Sequence, residues 1–296
     1  MKYAQLPRLW LPVAAACLNI LSAGAQSGAA DSTGVPGDHF SLHGALEMFR
    51  LSSSVEDFEQ RINREDNHVN NLDLNGDEET DYVRVVSKMD GDVHVFILQV
   101  PVSESESQDI AVIELEKTGE STANIQIVGD EDIFGEQTIV EPQETDAKSA
   151  PAPVEGMKGG GPLEGDWAPA IVVVNVWGWP CVRFVYGPAY RPWVSPWRWR
   201  HYPGWWRPWR PLAWRAWHPL RRPYHVAGFG FAPVHRVVRA HRVYVPVRTH
   251  SAVVRTRHSA SIGHYRVTRT KTIRTTTGPR GNTIKTTKTK TRVRRK

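Results

Sequence analysis

The stretch Asp73-Leu74-Asn75-Gly76-Asp77-Glu78-Glu79-Thr80-Asp81 is the sharpest local pattern in the chain. Asp73, Asn75, Asp77 and Asp81 carry side-chain oxygens at the first, third, fifth and ninth places, and Glu79 stands at the seventh, where a backbone carbonyl serves. Oxygen ligands so spaced wrap a hard cation, which makes Ca2+ the expected ion. The pattern is incomplete, because Glu78 occupies the place where the turn wants glycine and Arg84 the place of the bidentate glutamate. Affinity should therefore be weak, with Kd on the order of 0.1 to 1 mM. The competing reading is a solvated acidic turn between a helix and a strand.

A second group lies between Ser195 and Pro211, where Trp197, Trp199, Trp205, Trp206 and Trp209 are interleaved with Arg198, Arg207, Arg210 and prolines. Indole rings settle at the headgroup level of a membrane. Guanidinium forks grip phosphates bidentately, and Arg stacked on Trp adds a cation–π attraction. The same parts stack on sugars or unpaired bases, so these residues define a polyanion ligand without choosing the polyanion.

Charge along the chain points the same way. All 31 acids fall within residues 26–166, beside 8 Lys and Arg, while residues 167–296 hold 27 Lys and Arg and no acid, an asymmetry hidden in a net charge of +6. Such sorting makes contact with a polyanion through the tail the leading expectation. The eight tail histidines, His201 to His264, stand 6 to 17 residues apart, looser than metal clusters usually are, so they are expected to add charge in acid. No Ser-His-Asp arrangement or glycine-rich phosphate loop is legible, and the chain is not expected to be an enzyme.

Lys2 and Arg8 precede an apolar run from Leu9 to Leu21, and Ala23-Gly24-Ala25 completes a secretory signal over residues 1–25. The run, about 13 residues, is short of the roughly 20 that span a bilayer. Cys17 follows Ala14-Ala15-Ala16 without the leucine usual before a lipidated cysteine. Export places the protein in the periplasm, the outer envelope or outside the cell. Lipopolysaccharide, phospholipid and acidic polysaccharide are the partners within reach there; intracellular nucleic acid is not. Removal of the leader leaves Cys181 alone, so no internal disulfide forms, and a buried apolar role suits it.

The elements that must position these groups follow from periodicity. Residues 26–39 read as a flexible lead-in. Ala45, Leu46 and Phe49, then Val55, Phe58 and Ile62, fall at helical spacings, with Ser53 and Glu56 as a capping box for the second helix. Strands are expected over 82–86 and 93–100 about an Asp-Gly turn, then 110–116, 123–128 and near 138–140. The fold class is α+β: two short helices and an antiparallel sheet form an acidic domain over 40–140. A linker follows over 141–166, then a β-hairpin within 167–186. Proline recurs through 187–223, so extended, largely disordered chain is expected over 187–296. A Thr-rich hairpin near 268–289 would set like charges face to face.

The nine-residue acidic loop resembles the Asp-x-Asn-x-Asp calcium loops of dockerins and of integrin-like β-propeller repeats, and residues 195–211 resemble Trp/Pro/Arg-rich antimicrobial peptides. The lead Glu65-Asp66-Asn67-His68-Val69-Asn70-Asn71-Leu72-Asp73 and the tail together resemble uncharacterised exported proteins of Gram-negative, Bacteroidota-like bacteria. That resemblance implies export and this layout, and no activity.

Three functions follow as expectations. The first is a non-enzymatic envelope protein whose tail adheres to anionic lipid or polysaccharide. The second is a membrane-active effector held in check by the acidic domain. The third is calcium-dependent self-association of the acidic domain of one molecule with the tail of another. Against all three stands a tail that only packs on the acidic domain of its own chain.

Overall fold

Helix α1 (Leu42–Leu51) forms because Leu42, Ala45, Leu46 and Phe49 recur on one buried face and the Ser41 side chain accepts from Gly44 N at 3.0 Å. Helix α2 (Val55–Ile62) is capped one residue later than the sequence suggests. Ser54 Oγ accepts from Asp57 N at 3.1 Å, and Asp57 reaches back to Ser53 N at 2.9 Å. Ser53 and Glu56 are both exposed and do not make the box. The computed structural model describes residues 32–143, 174–225, 228–277 and 283–291, with side chains to residue 266. The expected signal peptide over 1–25 and residues 26–31, 144–166 and 167–173 lie outside the described residues, while the expected linker of 141–166 begins instead as the end of strand Thr138–Pro142. Part of the expected lead-in is fixed: Asp38 accepts from Ser32 Oγ, Thr33 N and Gly34 N, and Val35, Pro36 and Gly37 are buried.

The antiparallel meander follows the periodicity. Strand β1 (Arg84–Asp90) turns into β2 (Val93–Pro101) through Gly91 and Asp92, with Gly91 at φ 56°, where a side chain would be strained. Next come β3 (Ser107–Gly119), β4 (Thr122–Gly129), the single turn α3 (Glu131–Phe134) and β5 (Thr138–Pro142), each strand beside its predecessor. Every residue of β2 is buried, and its side chains divide between two cores. Phe96, Leu98 and Val100 join α1 and α2 on one face; Val93, Val95 and Ile97 join Val112, Val128 and Ile139 on the other.

The tail completes both layers. The chain over 187–213 has little regular structure, as its prolines dictate, but it is pinned to the domain. Helix α4 (Pro180–Val185) replaces the expected hairpin: Pro180 sits at its first turn, where a missing N–H costs nothing, and Cys181, Val182 and Val185 enter the first core. Cys181 is buried and free, and burial pushes its thiol up. Helices α5 (Trp214–Trp217) and α6 (Arg222–His225) lead to β6 (Phe229–Phe231), which pairs with β5 as a sixth strand. Helix α7 (Val238–Tyr244) lays Ala240 and Tyr244 on the second core. Helix α8 (Ala252–Thr268) follows, then the pair β7 (Arg269–Thr277) and β8 (Thr283–Thr291). Their backbone register sets Thr270 opposite Lys290 and Arg274 opposite Thr286.

The segment 174–266 is thus folded onto the domain rather than disordered. Its anchors are polar groups that composition does not reveal.

Candidate polyanion face and the carboxylates that hold it

Buried carboxylates of the acidic domain hold the tail at intervals. Glu59, 2 % exposed, accepts from Trp193 Nε1 at 3.0 Å and Ser195 Oγ at 2.8 Å, besides Tyr82 Oη and Val85 N. Burial nevertheless pushes its carboxyl above the ordinary range, against the pull of these donors. Backbone bonds from Ser87 N to Trp193 O and from Ser195 N to Val85 O cover the edge of β1. Asp109 accepts from Thr249 N at 2.8 Å, Gln99 Nε2 at 2.7 Å and Tyr244 Oη at 3.2 Å, and burial raises it to about 6. Arg248 forks onto Asp130 at 2.7 and 2.9 Å and also reaches Glu131 and Asp132.

This division leaves some arginines spent and others available. Arg210, Arg236, Arg239, Arg248 and Arg255 pair with Glu78, Glu141, Glu116, Asp130 and Asp132. Arg198, Arg200 and Arg207 are exposed and have no ion-paired carboxylate among the described residues. They sit on a loop fixed at both ends. Arg84 Nη1 donates to Trp197 O at 3.2 Å, Thr80 N donates to Trp209 O at 2.8 Å, and Asn71 brackets Leu212 with two bonds. A reciprocal backbone pair joins Arg198 and His201, which puts Arg200 at φ 58° with its guanidinium 4.3 Å from the Trp199 ring centroid.

The aromatic residues separate into two kinds. Trp206 is 2 % exposed and packs edge-on against Tyr82 at 5.1 Å, so it fastens the loop and offers nothing to a ligand, contrary to the sequence expectation. Trp205 is 47 % exposed, and Trp197, Trp199 and Trp209 are half-buried. Arg200 was missed as a candidate, although the run Trp197-Arg198-Trp199-Arg200 contains it.

In the acidic loop, Gly76 and Glu78 are both left-handed, so Glu78 takes the conformation that glycine usually supplies. The carboxylates are turned on their own backbone. Asp73 accepts from the amides of Gly76, Asp77 and Glu78, Asn75 Oδ1 from Asp77 N, and Asp77 Oδ1 from Glu79 N. Asp81 is buried and accepts from Leu74 N at 2.6 Å; burial, then the charges of Asp73 and Asp77, drive its carboxyl well up. Tail cations close on this loop: Arg210 lies 3.3 Å from Glu78, and a Cβ on Gly76 would fall 1.9 Å from Arg257 Nη1.

A different group has metal-ligand chemistry. Glu114, from β3, is fully buried and meets His235 Nε2 through one oxygen and His241 Nδ1, at 2.9 Å, through the other. The three ligand atoms lie within 4.8 Å of one another; among the described residues no other trio of His, Cys, Asp or Glu does so. Spacing within the tail could not reveal this trio, because Glu114 lies 121 and 127 residues away from His235 and His241. The available signal was Glu114 itself, a charge inside the apolar run Ile110–Leu115.

Among the described residues no helix is long and apolar enough to cross a membrane. The chain matches no protein-family model, no curated protein and no solved structure.

Proposed function

We propose that the protein is a non-enzymatic, exported cell-envelope protein whose 195–210 loop adheres to anionic envelope polymers, either lipopolysaccharide, phospholipid or acidic polysaccharide. The observation that carries this reading is that Arg198, Arg200 and Arg207 face solvent, with no ion-paired carboxylate among the described residues, beside Trp197, Trp199 and Trp205 on one pinned loop. A pinned loop pays less ordering entropy on binding than a disordered one. Release of the tail as an effector would withdraw Val176, Cys181, Val182 and Phe229 from the core, and pairing with a second molecule would compete with carboxylates already engaged within the chain.

Co-sedimentation of the full chain with vesicles tests the proposal, using zwitterionic phospholipid alone or mixed with anionic phospholipid or lipopolysaccharide. Each basic side chain near an anionic surface contributes about 1 kcal/mol. The triple variant Arg198→Gln/Arg200→Gln/Arg207→Gln should therefore lose about 3 kcal/mol, roughly 100-fold in retention. Salt should release the wild type. Equal retention of the triple variant, or equal binding to uncharged vesicles, would remove the loop from this role.

A further inference from the structure

We propose that Glu114, His235 and His241 form a binding site for a divalent transition metal of the zinc class, with one coordination position open to water. The proposal is independent of the adhesive reading.

Two imidazole nitrogens and a carboxylate oxygen make a donor set suited to Zn2+ and its neighbours in the first transition row, and unlike the all-oxygen cage of Ca2+. The geometry is close to what such an ion needs. Tetrahedral bonds of about 2.0 to 2.1 Å place ligand atoms about 3.3 Å apart, whereas His241 Nδ1 and Glu114 Oε1 are 2.9 Å apart. Entry of the ion therefore asks the His241 ring to retreat by a few tenths of an ångström, and the His235 ring, in closer contact with the other carboxylate oxygen, to retreat further. A ring that carries its proton on the nitrogen away from Glu114 presents the other nitrogen to a metal, which would replace the two contacts with the carboxylate.

Burial and rigidity favour the site. The Glu114 side chain is 0 % exposed, while His235 and His241 are 17 % and 29 % exposed, so solvent reaches the trio from the histidine side alone. The ligand-bearing segment is held before any ion arrives. Gln126 Oε1 accepts from Arg236 N and Val237 N between the two histidines, and Arg236 and Arg239 occupy Glu141 and Glu116. Beyond the trio, Tyr244 Oη bonds to Asp109. A metal there bolts α7 to β3, and with it the cover of the second core.

Isothermal titration of the metal-stripped full chain with Zn2+, with Ca2+ as comparator, decides the matter. One Zn2+ per chain is expected, with Kd at or below about 1 µM, together with a rise in melting temperature that a chelator reverses. Loss of the buried Glu114 can unfold the sheet, so the test rests on His235→Ala and His241→Ala, checked for folding by circular dichroism. Each should weaken Zn2+ binding by about 100-fold or more, since even partners outside the ligand shell are worth 10- to 100-fold. His250→Ala, at an exposed position outside the trio, should leave it unchanged. Absence of stoichiometric binding, or equal affinity in wild type and the two ligand variants, would overturn the site and assign any zinc uptake to scattered surface histidines.

Discussion

Glu59 is the residue at which the acidic domain and the tail depend most directly on one another, and its replacement gives a quantitative test of that dependence. In Glu59→Ala, Tyr82 Oη, Val85 N, Trp193 Nε1 and Ser195 Oγ all lose their acceptor. A buried donor left without a partner costs about 1 to 3 kcal/mol. Part of that loss is returned, because burial holds the charged carboxylate at a cost, as its raised pKa indicates. A net loss of about 4 kcal/mol is expected, in the range for breaking a buried charged network. Glu59→Gln should cost far less. Its amide nitrogen can face Tyr82 and Ser195, whose hydroxyls rotate to accept, while its oxygen keeps Val85 N and Trp193 Nε1. One or two kcal/mol is the expected loss. Urea unfolding of the two variants measures these values, and amide hydrogen exchange across 193–210 reports whether the loop loosens. A Glu59→Ala loss below about 1 kcal/mol, or unchanged exchange in the loop, would refute the view that this carboxylate docks the tail.

Asp109 gives a pH test. Its folded pKa is raised from 3.8 to about 6 by burial, so its contribution to stability is full below the unfolded value and is lost as pH rises through 6, by about 3 kcal/mol. His43 and His94, lowered to about 4 by burial, act oppositely: their contribution is present above 6.5 and lost as pH falls toward 4. The clean measurement is therefore the difference between wild type and Asp109→Asn in urea unfolding from pH 4 to 7.5, which should change in favour of the variant as pH rises. At the acidic loop, Ca2+ titration tests the sequence expectation of weak binding, and a Kd above about 1 mM would remove it. Arg257→Ala should tighten binding several-fold by removing a competing cation from above Gly76; no change on that substitution would exclude competition.

The legible part of the fold was the part written in short-range spacing. Phe49 and Phe58 lie on helical faces, and Gly91 marks a turn, because each statement concerns neighbours in sequence. Ser54 rather than Ser53 caps α2 since adjacent serines offer the same hydroxyl, and only Asp57 as a reciprocal partner separates them. The tail's placement was harder to read because its anchors are long-range pairs such as Glu59 with Trp193 and Glu114 with His241. One indication was present in β2. The run Val93–Val100 has no polar alternation, as a strand buried on both faces requires, yet the two front helices can cover only one. The second cover had to come from elsewhere in the chain, and α7 supplies it. Of the polyanion candidates, Trp206 could not be told from its exposed neighbour Trp205, since composition gives both the same chemistry.

The covering of β2 also sets the order in which the molecule can be finished. Its second face waits for Val237, Ala240 and Tyr244, and Glu59 waits for groups 134 and 136 residues downstream. Contacts of such separation close slowly, because loop entropy is spent before they form. A chain emerging from its N-terminus would therefore hold the second face of β2 uncovered until residues 237–244 had followed. Such a delay makes truncation ahead of α7 a route to aggregation rather than to a smaller folded domain.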